Sequence, residues 1–226
     1  MNSALQTRWL GRIPFAEALA RQEELVRVKR AQPGTPDELW LLEHDPVYTI
    51  GRTPDQSSLR GAAHLPHPLI AINRGGQATY HGPGQLVGYF LLDLRHYGQD
   101  LHRYLRWIET LLIESLAAYE INATTRSGLT GVWIGQRKIA SIGVGVRHWI
   151  TMHGFALNLH GDLSPFEHIT PCGVADVAMT SIEKESGAVQ QVEEVGERLA
   201  ILARERLTDL RPRPAPKHST AAPVAF

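Results

Sequence analysis

Between positions 101 and 119 the apolar residues fall at 101, 104, 105, 108, 111, 112, 116 and 119. Steps of three and four put them on one face of a helix, so this segment is expected to cover a sheet with that face. Two weaker stripes have the same period. One runs over 14–29, with Pro14 at the first helical position and Phe15, Ala18, Leu19, Leu25 and Val26 on its apolar side; the other runs over 192–207, with Val192, Val195, Leu199 and Leu202. Elsewhere the runs are short and strand-like: 38–44 and 47–50 around an Asp45-Pro46 turn, 69–73, 86–94, and then 130–134, 137–146 and 149–159. Only Gly135-Gln136 and Arg147-His148 separate the last three, which suits antiparallel hairpins. Strands in hairpin clusters, without strict strand–helix alternation, predict an α/β chain of the α+β type: a mixed, largely antiparallel sheet flanked by helices. Residues 32–37 and 53–68 are expected to be turn and loop.

Between two of these strands lies RGGQATYHGPGQ, residues 74–85, with four glycines, one proline and a run of polar side chains. Glycines at this density suit a place where backbone closely approaches a ligand or takes positive φ. A plain turn has no need of Arg74, Gln77, Thr79, Tyr80, His81 and Gln85 between its glycines, so the stretch is expected to hold something.

At 226 residues and 43% hydrophobic content the chain can bury one substantial core. A single domain over 1–210 is expected, followed by a Pro/Ala-rich tail, 211–226, with the composition of a disordered segment. The 23 basic and 23 acidic residues cancel, leaving no electrostatic footprint for nucleic acid or an anionic membrane. No apolar run approaches the roughly 20 residues that cross a bilayer, and the first 15 residues lack the apolar stretch of a secretory signal, so a cytoplasmic protein is expected.

Cys172 is the only cysteine, which excludes an internal disulfide and any multi-cysteine metal site. Its ITPCG context keeps it out of regular structure and favours an accessible thiol. A nucleophilic cysteine needs its thiolate stabilised by a cation, a helix N-terminus or a histidine. Lys138, in GQRKIASIG, is the candidate cation, with His81 and His153 as competing bases. The eleven histidines lack regular ligand spacing and no metal is expected. Neither a G-x-x-x-x-G-K-[ST] nor a G-x-G-x-x-G pattern occurs, so no ATP site and no cofactor are expected.

Taken in order, RGGQATYHGPGQLVGYFLLDL, GVWIGQRKIASIGVG, HGFALNL and ITPCG resemble the octanoyltransferases of lipoate biosynthesis, the lipoyl(octanoyl) transferase family. The resemblance runs from about Trp40 to Ile182. It implies the fold of the biotin and lipoate protein ligase catalytic domains, and an acyl-thioester on Cys172 with Lys138 as its acid/base partner. It further implies substrate contacts from Arg74, Gly75, Gly76, Gln77, Ala78, Thr79, Tyr80 and His81, from Ser141, Ile142 and Gly143, and from Gly154, Phe155 and Ala156. The implied partners are octanoyl-acyl carrier protein as donor and, as acceptors, the lipoyl domains of 2-oxoacid dehydrogenase complexes and the glycine cleavage H protein.

Thioester exchange at Cys172 followed by amide formation needs no ATP, in keeping with the missing phosphate loop. The flanking strands offer Ile142, Val144, Phe155, Leu157 and Tyr80 for an alkyl chain, and Arg137 and Arg147 are candidates for meeting an acidic carrier protein. Three rival activities fit the same stretches: an ATP-dependent lipoate or biotin ligase, a thioesterase, and a non-catalytic binder of lipoyl domains.

Overall fold

The computed structural model describes residues 5–52, 57–59, 65–170 and 177–212. The tail expected after 210 falls outside the described residues beyond 212, and Cys172 lies outside them as well.

A seven-stranded sheet forms the centre. Its strands are β1 (Gln6–Ile13), β2 (Glu38–His44), β6 (Gln85–Leu91), β7 (Thr124–Arg126), β8 (Leu129–Ile134), β9 (Arg137–Arg147) and β10 (Ile150–Asn158), in the order β1-β2-β6-β10-β9-β8-β7. Only β1 and β2 run parallel; the other neighbours are antiparallel. A smaller sheet pairs β3 (Val47–Ile50) with β4 (Leu69–Ala71) and β5 (Thr79–His81), in the order β4-β3-β5.

Both faces of the large sheet are covered, which is why its inner strands read as unbroken apolar runs. Side chains alternate by face: Leu39, Leu41, Leu86 and Phe90 pack toward α2 (Leu101–Ala117) and α4 (Val192–Arg206), while Trp40, Leu42, Val87 and Tyr89 pack toward α1 (Phe15–Ala31). The long stripe buries Tyr104, Ile108, Leu111, Leu112 and Leu116 of α2 against the first face, and Asp100 caps the helix by accepting the Arg103 N–H at 3.0 Å. A short helix α3 (Ile182–Ser186) starts at Ser181, whose hydroxyl accepts the Lys184 N–H at 3.2 Å.

Two features depart from the sequence reading. QTRWLGRI forms the edge strand β1, although it carries no clean alternation; parallel pairing with β2 creates the strand, with Gln6 opposite Glu38 and Ile13 opposite His44. The glycine-rich stretch is likewise not all loop, because Thr79–His81 pairs with β3 as a short strand.

Candidate functional site

The glycine-rich stretch leaves β4 and folds back over the middle of the sheet. Gly75 donates its N–H to the Val144 carbonyl of β9 at 3.1 Å. Arg74 is buried and ties the stretch to β3: Nη2 donates to the Thr49 carbonyl at 3.2 Å and to its hydroxyl at 3.0 Å, while Nη1 donates to the Gly75 carbonyl at 2.9 Å. A guanidinium fork makes these contacts at once, as a lysine could not. Gly143 makes room beneath it, since a Cβ there would lie 3.0 Å from Arg74 Cδ and the arginine would have to give way.

Between this stretch and the sheet lies a narrow cleft with a cavity volume of about 50 Å³, below the roughly 300–1,000 Å³ usual for small-ligand sites. Arg74, Gly76, Gln77, Ala78, Thr79 and His81 line one side; Ser141, Ile142 and Gly143 of β9 and Gly154, Phe155 and Ala156 of β10 line the other. Twelve of the expected contact residues therefore meet at one cavity. Gly75 contributes its backbone to the loop's anchorage, and Tyr80 packs instead against Tyr48 at a tilt and edge-on against Phe166. Val144 and Leu157 pack with the core on the α2 side.

Phe15, Ile72, Tyr89 and His153 also line the cleft, and none belongs to the expected contact set. Phe15 opens α1, Tyr89 comes from β6, and only the tertiary arrangement unites them. His153 takes φ +61 within β10, a left-handed conformation unusual for a non-glycine residue in a strand. Its N–H donates to Gln22 Oε1 of α1 at 2.7 Å, and its Nε2 is buried without a hydrogen-bond partner. A non-glycine residue at positive φ beside a motif glycine was the signal that this position is special.

Three buried histidines sit around the cleft, and all are held neutral. His44 Nδ1 lies 2.9 Å from the Ile13 carbonyl, so it carries the proton and Nε2 accepts from the Tyr89 hydroxyl at 2.6 Å. Burial pushes His44 down to about 4. His81 Nδ1 donates to Gln85 Oε1 at 2.8 Å. Burial, then the neighbouring His44, push it down to about 3 against the pull of that hydrogen bond. Burial, then Arg74 and Arg147, push His153 down to about 4. Burial raises Tyr89, which keeps its proton for His44.

Lys138 is fully buried and does not line the cleft. Its Nζ donates to the Thr130 carbonyl at 3.1 Å and lies 5.2 Å from the centre of the Trp133 ring. Room for it comes from Gly131, at φ +130, where a Cβ would fall 2.6 Å from Lys138 Cε. The Lys138 backbone is bonded on both sides to the chain after Cys172: its N–H donates to the Ala178 carbonyl and its carbonyl accepts the Thr180 N–H, each at 2.9 Å. A second tie holds the same segment, because Gln85 Nε2 donates to Asn158 Oδ1 at 2.9 Å and Asn158 Nδ2 donates to the Thr180 carbonyl at 3.0 Å.

Arg137 pairs with Glu185 at 2.8 Å and Arg147 with Glu23 at 3.3 Å, so the two candidate docking cations already have acidic neighbours. Among the described residues no three His, Cys, Asp or Glu side chains are grouped to hold a metal ion, and no helix is long and apolar enough to cross a membrane.

Residues 14–201 match the model of the lipoyl protein ligase A/B catalytic domain. A protein of Citrifermentans bemidjiense named octanoyltransferase is 49% identical over 192 residues, covering 85% of this chain and 92% of that one. Among solved structures, a bipartite lipoate protein ligase from Thermoplasma acidophilum superposes with a TM-score of 0.67 at 19% identity, covering 92% of this chain and 84% of that one. The biotin protein ligase of Aquifex aeolicus gives 0.53 at 13%, covering 91% and 70%. At those identities the likeness is one of fold.

Proposed function

The chain belongs to the lipoyl protein ligase A/B catalytic domain family, and on that premise we propose that it is an octanoyltransferase: it moves an octanoyl group from the thioester of acyl carrier protein to a lysine ε-amine of a lipoyl domain, by way of a thioester on Cys172. The observation that carries this reading is the anchorage of Lys138, a buried amine whose backbone is bonded to Ala178 and Thr180, a few residues beyond Cys172 in the sequence.

In the first half-reaction the Cys172 thiolate attacks the donor's carbonyl carbon, the bond to the carrier's sulfur breaks, and that sulfur takes a proton from Lys138. In the second, the acceptor amine attacks the acyl-cysteine, the C–S bond breaks, and the proton lost by the amine returns through Lys138. The cleft beside the glycine-rich stretch receives the acyl chain against Ile142, Phe155 and Ala156, and the peptide N–H groups of Gly76, Gly143 and Cys172 are the candidates to meet the developing oxyanion. The donor enters already activated, so no nucleotide takes part. The lipoyl domains of 2-oxoacid dehydrogenase complexes and the glycine cleavage H protein are the acceptors, in a cytoplasmic setting.

A lipoyl domain mixed with octanoyl carrier protein and this chain, in buffer free of ATP, should gain one octanoyl mass. Strict dependence on ATP would sink the transferase reading in favour of a ligase. Consumption of the donor without mass gain on the lipoyl domain would leave a thioesterase, and lipoyl-domain binding kept by Cys172→Ser, with no acyl transfer by either protein, would leave a binder.

A further inference from the structure

Glu109 is a carboxylate on the inner side of α2, only 1% exposed. Its Oε1 accepts the N–H of Gly131 at 3.0 Å, and its Oε2 lies 2.7 Å from Arg106 Nη1 on the same helix. An acid buried beside an apolar helix stripe is costly unless something fixes it there. Gly131 follows Thr130, whose carbonyl accepts from Lys138 Nζ, and the vacant side-chain position of Gly131 lies 2.6 Å from Lys138 Cε and 3.0 Å from Nζ. Glu109 thus grips the backbone on which the Lys138 amine rests.

We propose that Glu109 is a positioning residue for Lys138: it holds the Gly131 backbone that seats the amine and sets a negative charge behind it. This rests on the reading of Lys138 as the proton carrier. Burial raises the Glu109 carboxyl, while the Gly131 N–H, Arg106 and Lys138 pull it the other way, so the charge of Lys138 is felt at this carboxylate. Among the described residues, charged groups on the elements packed there include Arg106, paired with Glu109, Arg126 of β7, 4.9 Å from the centre of the same Trp133 ring, and the Arg137–Glu185 pair at the neighbouring position of β9. Glu109 supplies the negative charge on the α2 side.

Glu109→Gln keeps an acceptor for Gly131 and removes the charge. Octanoyl transfer should then slow on the order of tenfold at neutral pH, and the basic limb of the pH–rate profile should move to lower pH. A profile that stays in place, with a rate within about twofold of the parent, overturns the proposal. Lys138→Met is run beside it: if it is impaired while Glu109→Gln is silent, only the role of Glu109 falls, and if it too is silent, the role of Lys138 falls first. The double variant gives a reading that survives a general loss of stability. A rate no lower than that of Lys138→Met alone shows that Glu109 acts through the lysine, whereas independent, multiplicative losses overturn it.

Discussion

Buried titratable side chains crowd the cleft. His44, His81 and His153 are packed among Phe15, Tyr89 and Arg74, where a second positive charge finds little solvent and an existing guanidinium. Their pKa values of about 4, 3 and 4 lie below the 6.5 of a free histidine. The unfolded chain therefore binds protons near pH 6.5 that the folded chain refuses until about pH 3 to 4. Within that window stability falls as pH drops, by up to about 1.4 kcal/mol per pH unit for each histidine, and above it these groups contribute no slope. Urea unfolding followed from about pH 7 to about pH 4.5 should show this loss, and replacing His81 with Gln should make it shallower. A flat profile would mean that the histidines are charged in the fold. At this scale the sequence was informative about residue type and poor on environment: a solvated edge strand is the commoner place for a lysine such as Lys138, and only Gly131, Thr130 and Trp133 around it show a buried amine.

The elements matter through how they tie the 177–181 segment to the sheet. Asn158, the last residue of β10, accepts from Gln85 of β6 and donates to Thr180, which is itself bonded to Lys138. Asn158→Ala removes one of the two partners of the Gln85 amide, which keeps its bond to the Tyr80 carbonyl, and takes the Asn158 donor from the Thr180 carbonyl in a buried place. We expect a loss of about 2 kcal/mol in denaturant unfolding and a slower transfer, since the segment that bonds to Lys138 loses a tether. Unchanged stability would show that water replaces the side chain at no cost. The helix α2 and the hairpins of β8, β9 and β10 were legible because burial imposes their period on the sequence. Strand β1 was not, because pairing with β2 rather than alternation creates it, and Thr79–His81 was hidden in a stretch whose glycines announce a loop.

For the molecule as a whole, the order of four short motifs carried more than any pattern of apolar residues, and the family match over residues 14–201 agrees with it. Three of those motifs meet as two walls of one cleft, built from the 74–81 stretch and from β9 and β10, while Cys172 of the fourth lies outside the described residues. What they left unread comes partly from elsewhere in the chain, Phe15 at the head of α1 and Glu109 on α2 behind Lys138, and partly from a motif position with no expected contact, Tyr89 on β6. A fold shared with lipoate and biotin protein ligases leaves the energy source open, and the proposed acyl-cysteine at Cys172 is where it is tested. The most direct measurement is an intact mass spectrum of the protein after mixing with octanoyl carrier protein in the absence of ATP and of any lipoyl domain. We expect a single octanoyl adduct that maps to Cys172, is absent from Cys172→Ser, and is discharged when a lipoyl domain is added. An unmodified chain under conditions where the lipoyl domain is nevertheless octanoylated would contradict the acyl-cysteine.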